Sequence, residues 1–286
     1  MIRQLVRRPI KMALRSAGYQ LSPIDPPRSL REQNPDITDR EWSIYCAVSP
    51  FTMLSMERIL TNIRAVDHVV NTGIPGDIVE CGVWRGGSSM AMALALKGRD
   101  LRNLWMYDTY AGMTEATEVD VNAHGLSASR LLSEAKQFEK AELSLVLAFA
   151  SLEDVQNNMR STGYNWDSLR FVRGPVEQTL PAILPDKISV LRIDTDWYES
   201  TRHELEHLYP RLSPGGILII DDYGCWQGAR KAVDEYFQGK DVFLNRIDYT
   251  GRLAVKPFGV TTSGHATELE LMSQSIAGKS IQLARP

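Results

Sequence analysis

The sequence predicts an α/β protein with a Rossmann-like, mostly parallel central sheet, and three observations carry that expectation. From residue 77 onward, short apolar runs alternate with helical stretches, the pattern of parallel strands buried on both faces. The first of these runs leads into a glycine-rich turn that opens a helix. The last, "VFLNRIDYTGRLAVKP" (242–257), turns back through Tyr249–Gly251 and reads as a terminal antiparallel hairpin.

Taken in order, the chain begins with "MIRQLVRRPIKMALRSAGYQ", where Arg3, Arg7, Arg8, Lys11 and Arg15 precede any acid. Ile2, Leu5, Val6, Ile10, Ala13, Leu14 and Ala17 fall at helical spacing, so residues 1–21 are expected to form a basic amphipathic helix. Such a helix packs on its own domain or on the partner of a homodimer, or lies on an anionic membrane surface. The proline-rich "SPIDPPRS" opens a linker over 22–37, and a helical cap over 38–75 begins at Thr38 with Glu41 three residues on. Within the main domain, 76–258, strands are expected in "DIVECGV" (77–83), "NLWMYDT" (103–109), "LRFVRGP" (169–175), "ISVLRID" (188–194) and "GGILIIDD" (215–222). The connection after the second strand is far longer than one helix requires, so 111–167 is read as a lid inserted over the C-terminal edge of the sheet. Residues 259–286 form a polar tail.

Composition narrows the function classes. A hydrophobic fraction of 43% with 23% charged residues is that of a globular protein, and a net charge of −3 gives no nucleic-acid signature. No run approaches the ~20 apolar residues that cross a bilayer. Three scattered cysteines make no disulfide framework and point to a reducing, cytoplasmic setting, with peripheral contact at the inner face of the membrane through 1–21.

The ends of the strands carry the chemistry. Glu80, Gly82 and the glycines at 86 and 87 follow the first strand; an acid there repels a diphosphate but attracts the ammonium of a bound amino acid. Asp108 ends the second strand, where an acid accepts the ribose hydroxyls of a nucleoside. An amino-acid end joined to a nucleoside end is S-adenosylmethionine. Asp194 ends the fourth strand and Asp221 and Asp222 the fifth. Neighbouring parallel strands bring these carboxylates side by side, where their repulsion calls for a hard divalent cation such as Mg²⁺. Such an ion binds a substrate hydroxyl and lowers its pKa, leaving Asp196 to take the proton. Helix capping is the competing reading for Asp196 and Asp222. Trp84, Tyr110, Trp197, Tyr223 and Trp226 follow strand ends and suit stacking on adenine or a sugar, or packing under a lid.

"PGDIVECGVWRGGSS", "YDTYAGMT", "VLRIDTDWYEST" and "YPRLSPGGILIIDDYG" followed by "GARKAVDEY" resemble the macrocin O-methyltransferase (TylF-type) family over roughly residues 55–257. The resemblance implies a class I methyltransferase fold and an S-adenosylmethionine- and Mg²⁺-dependent sugar O-methyltransferase. It implies Asp194, Asp221 and Asp222 as metal ligands, Asp196 as base, and Glu80, Gly82, Trp84, Ser88, Asp108 and Thr109 around the cofactor. The acceptor implied is a sugar of a glycan, a lipid-linked glycan, a polysaccharide or a glycosylated natural product. A catechol acceptor and a non-catalytic scaffold of a glycan-assembly complex are the alternatives. "HELEH" (203–207) matches a zinc-protease pattern but lacks a third ligand, and Cys81 and Cys225 lack a histidine partner, so all are read as structural.

Overall fold

The computed structural model describes residues 29–138 and 147–258. The basic segment 1–21 and the tail 259–286 lie outside the described residues, and with them the expectation of an N-terminal amphipathic helix. The chain divides into two units, Met1–Ser43 and Ile44–Pro286. In the first, α1 (Leu30–Gln33) is closed by a capping box in which Ser29 and Glu32 satisfy each other's backbone N–H groups. The same device recurs at Thr38, whose N–H donates to Glu41 Oε2 at 2.8 Å and whose Oγ1 accepts from the Glu41 N–H at 3.2 Å. It starts α2 (Asp39–Val48).

The second unit is built on seven strands: β1 (Asp77–Cys81), β2 (Leu104–Asp108), β3 (Leu169–Arg173), β4 (Ile188–Ile193), β5 (Leu212–Ile220), β6 (Asn245–Arg246) and β7 (Arg252–Val255). Their order is β3-β2-β1-β4-β5-β7-β6. The first five run parallel, and β7 slots antiparallel between β5 and β6. The order reverses between β1 and β4, and a ligand crevice belongs outside the carboxyl ends of the strands at such a switch. Register makes that crevice chemically dense. Cys81 pairs with both Tyr107 and Ile193, and Ile193 with Ile220. Gly82, Asp108, Asp194 and Asp221, each the next residue along, therefore emerge at one level.

Helices α3 (Met56–Asn71) and α4 (Gly87–Leu96) pack against each other beside this sheet. The face of α3 carrying Ile59, Ile63, Val66 and Val69 is buried, whereas α4 is apolar or small nearly all round and buried nearly all round, as such a helix must be. Beyond the sheet's other strands come α5 (Ala128–Phe138), α6 (Leu152–Ser161), the single turn α7 (Val176–Thr179), α8 (Tyr198–Leu208) and α9 (Gln227–Phe237). Among the described residues no helix is long and apolar enough to cross a membrane.

Asp120 ties the inserted segment to the start of α8. Asp120, fully buried, accepts from the N–H and Oγ1 of Thr117 and from the N–H of Tyr198, each at 2.8 Å. Bridges of Val121 to Ser127 and of Asn122 to Trp226 extend the attachment. Gly228 leaves the room: a Cβ there would lie 2.1 Å from Asp120 Oδ1.

Candidate active site

The strand ends surround a cavity of ≈ 310 Å³ whose walls include Arg58, Trp84, Asp194, Asp196, Asp221 and Asp222. A narrower crevice of ≈ 60 Å³ adjoins it, lined by Thr109, Val176 and Glu177 among others, and Gly82, Asp108, Gly112, Met113 and Asp194 face both spaces. Gly82 is what lets β1 and β4 end so close together. Its φ is +80°, and a Cβ would lie 1.8 Å from the Asp194 carbonyl oxygen. Trp84 and Asp196 also take positive φ, +46° and +66°, which costs a non-glycine residue energy and is typical of functional turns.

Asp108 organises the first turn. Its Oδ2 accepts the N–H groups of Val83 (2.6 Å) and Trp84 (3.0 Å), and its Oδ1 that of Tyr110 (2.7 Å). Burial pushes its pKa up, opposed by these bonds. Thr109 anchors the following loop through Oγ1 to the Gly112 carbonyl at 2.6 Å.

Asp194, Asp221 and Asp222 form a group in which each offers one oxygen and all three oxygens lie within 4.8 Å of one another; it is the one such cluster among the described residues. Asp222 Oδ2 is buried without a hydrogen-bond partner. An unpartnered buried carboxylate oxygen is costly, and three hard oxygen donors with one oxygen free fit a divalent cation. Burial first, then Asp196, Asp194 and Asp221, raise Asp222 well above the carboxylate range. Asp196, which shares the cavity wall with Asp222, is pushed up to about 7, with burial again the main cause. Asp221 rises to about 6.

Two arginines meet this negative charge. Arg192, on β4 and 1% exposed, donates through Nη1 to Glu80 Oε1 and Asp194 Oδ2, each at 2.7 Å, and through Nη2 to Asp221 Oδ1 at 2.6 Å. Arg58, from the first turn of α3, donates to Asp221 Oδ2 and lies 3.1 Å from Asp248 Oδ2. Burial works against both charges, but the surrounding carboxylates outweigh it and hold both guanidinium groups above their ordinary pKa.

The structure brings Asp194, Asp196, Asp221, Asp222, Asp108, Thr109, Gly82 and Trp84 to these spaces. It does not bring Glu80 or Ser88 there. Glu80 is the cross-strand partner of Arg192, so its side chain is fully buried, bonded to Arg192 and to Ser89 Oγ. Ser88 lies within α4, where its Oγ accepts from Asn62 Nδ2 at 2.9 Å. Arg192 was not singled out from the sequence, although a cation inside a buried strand must be paired and was a signal. Arg58 and Asp120 gave none, because their partners are remote in the chain. His203 and His207 bond to the carbonyls of Leu180 and His203, and Glu204 is buried in the core, so "HELEH" makes no metal site. Burial raises the thiol pKa of both Cys81 and Cys225, against a nucleophilic role.

Residues 11–254 match the family model described as macrocin-O-methyltransferase (TylF), a span that reaches into the N-terminal basic segment. The chain is 37% identical over 224 residues to the 8-demethyl-8-(2,3-dimethoxy-alpha-L-rhamnosyl)-tetracenomycin-C 4'-O-methyltransferase of Streptomyces olivaceus, covering 77% of this chain and 79% of that protein. It is 38% identical over 187 residues to the mycinamicin III 3''-O-methyltransferase of Micromonospora griseorubida, covering 65% and 69%. Among solved structures it resembles the O-methyltransferase NovP, with a TM-score of 0.61 and 33% identity over 73% of this chain and 83% of that one.

Proposed function

This chain belongs to the macrocin O-methyltransferase (TylF) family, and from that premise we propose that it methylates a hydroxyl of a sugar carried by a glycosylated natural product, glycolipid or glycan, using S-adenosylmethionine and a divalent cation such as Mg²⁺. The observation that carries the reading is the convergence of Asp194, Asp221 and Asp222 with the unpartnered Asp222 Oδ2 among them. The rhamnosyl acceptor in the name of the Streptomyces olivaceus relative supports a sugar over a catechol.

S-adenosylmethionine supplies an electrophilic methyl, which the acceptor oxygen takes as the sulfonium departs as a thioether. Asp194, Asp221 and Asp222 would hold a divalent cation, which would supply a lowered pKa to the acceptor hydroxyl. The protein's own residues do the rest. Asp108 fixes the 82–84 turn through one oxygen while facing the crevice, and with Gly82, Trp84 and Thr109 it holds the donor. Glu80 and Ser88 serve that binding from below, through Arg192, Ser89 and Asn62. Arg192 and Arg58 orient Asp194 and Asp221 through their hydrogen bonds. Asp196, beside Asp222 at the cavity wall, receives the hydroxyl proton; its held-up pKa suits a general base. Gly112, Met113 and Ala148 of the inserted segment line the cavity and leave less room for water that would compete for the methyl.

The test is transfer of labelled methyl from S-adenosylmethionine to a panel of glycosides bearing vicinal hydroxyls. Wild type is expected to label at least one of them. Asp196→Asn is expected to lower turnover by roughly 10²-fold or more with donor affinity unchanged. Full turnover by that variant would remove Asp196 as base.

A further inference from the structure

Outside the acidic cavity, among the described residues, Arg230, Arg246 and Arg252 lie close together with no carboxylate bonded to any of them. Arg246 of β6 and Arg252 of β7 are direct cross-strand partners, and like charges opposite each other in an antiparallel pair destabilise it. Arg230 of α9 shares a ring with Arg252: their guanidinium carbons lie 5.4 Å and 4.8 Å from the centroid of Tyr223. Among the described residues none of the three has a carboxylate partner. Their bonds go to backbone carbonyls: Arg230 Nε to Tyr223 (3.0 Å), Arg246 Nε to Asp248 (2.7 Å) and Arg252 Nη1 to Gly251 (2.8 Å). The nearby acids are committed elsewhere. Asp248 serves Ser55, Arg58 and the N–H groups of Thr250 and Gly251, and Asp234 accepts from the Tyr223 hydroxyl. Burial first, then Arg246 and Arg230, lower the Arg252 pKa, against smaller opposing effects of Tyr223 and Asp248.

The cluster borders the acceptor cavity. Arg246 and Arg252 bracket the 247–251 turn, in which Tyr249 lines the cavity and Thr250 Oγ1 donates to the Asp221 carbonyl at 2.7 Å. Tyr223 directly follows Asp222. Anchored through Nε, Arg230 and Arg246 each keep both terminal nitrogens free of protein acceptors, and Arg252 keeps Nη2. Such forks match the oxygens of a phosphate, whose charge also relieves the cross-strand repulsion.

We infer that Arg230, Arg246 and Arg252 form a binding site for a phosphate ester at the edge of the acceptor cavity. Only the identity of the phosphate's bearer, the acceptor itself, rests on the methyl-transfer reading; capture of the anion does not. The full-length chain, free of metal and donor, is titrated with inorganic pyrophosphate at constant ionic strength, by calorimetry and by thermal unfolding. Wild type is expected to bind saturably and to gain Tm. Arg246→Gln is expected to bind about tenfold more weakly, as loss of one charge-assisted contact implies. It should also start from a higher Tm than wild type without anion, because the repulsion is relieved, and gain less from pyrophosphate. A misfolded variant would start lower, and Arg252→Gln then repeats the test. Equal affinity in wild type and both variants, or no saturation in wild type, overturns the site. Cosedimentation with phosphatidylglycerol vesicles, against phosphatidylcholine, separates the sources: weakening by Arg246→Gln there assigns a lipid headgroup, and weakening with pyrophosphate alone assigns a soluble phosphate. Failure of methyl transfer would leave all of these readings unchanged.

Discussion

At the scale of single residues, Arg192 answers how two strands can end in repelling acids: a buried guanidinium spans Glu80, Asp194 and Asp221. Replacing it with methionine leaves buried carboxylates unpaired, a loss of about 3–5 kcal/mol. Urea unfolding is expected to show that loss, and Mg²⁺ to restore more of it in Arg192→Met than it adds to wild type, because a cation at the cluster then meets less internal competition. No Mg²⁺ dependence in either protein would count against the cluster as a cation site. Glu204 presents the opposite case. It is fully buried, with Oε2 accepting from Thr195 Oγ1 at 3.1 Å and Oε1 unpartnered, and burial holds its pKa well above 4.5. A carboxyl whose pKa rises on folding contributes stability below its unfolded pKa and loses it as pH climbs toward the folded value. Glu204→Gln cannot ionise, so its stability advantage over wild type is expected to grow between pH 5 and pH 8. A difference constant with pH would mean that Glu204 is ionised in the fold.

At the scale of elements, strand ends aligned by register turn residues scattered in sequence into one site. The acids at those ends were legible because an apolar run that stops at a carboxylate is visible locally, and the β1–β5 boundaries differ from the expected ones mainly at Leu212, where the fifth strand starts three residues early. What was not legible is how neighbours share the charge. Glu80 reads as a ligand-facing acid until Arg192 is seen beside it, and that pairing depends on register between strands far apart in sequence. The attachment of residues 111–167 was not legible, since Asp120 bonds across to Tyr198. Asp120→Ala removes an acceptor shared by buried donors and is expected to cost about 1–3 kcal/mol. Hydrogen exchange should quicken over residues 117–128 and leave the strands protected; uniform exchange would mean the segment is held by other contacts.

At the scale of the whole molecule, the reversal of strand order between β1 and β4 sets a crevice at the carboxyl ends of the strands, and Asp194, Asp196, Asp221 and Asp222 meet there. The arginines at the C-terminal hairpin give the same region a second, opposite charge beside the first. In the proposed reading a phosphate ester complements the arginines, and a cation complements the acids. The central claim is that Asp194, Asp221 and Asp222 hold one divalent cation, and Mn²⁺ titration followed by electron paramagnetic resonance reads it without acceptor or turnover. The account predicts one saturable site per chain in wild type and its loss in Asp222→Asn. Unchanged Mn²⁺ binding in that variant, or no saturable site in wild type, would contradict it.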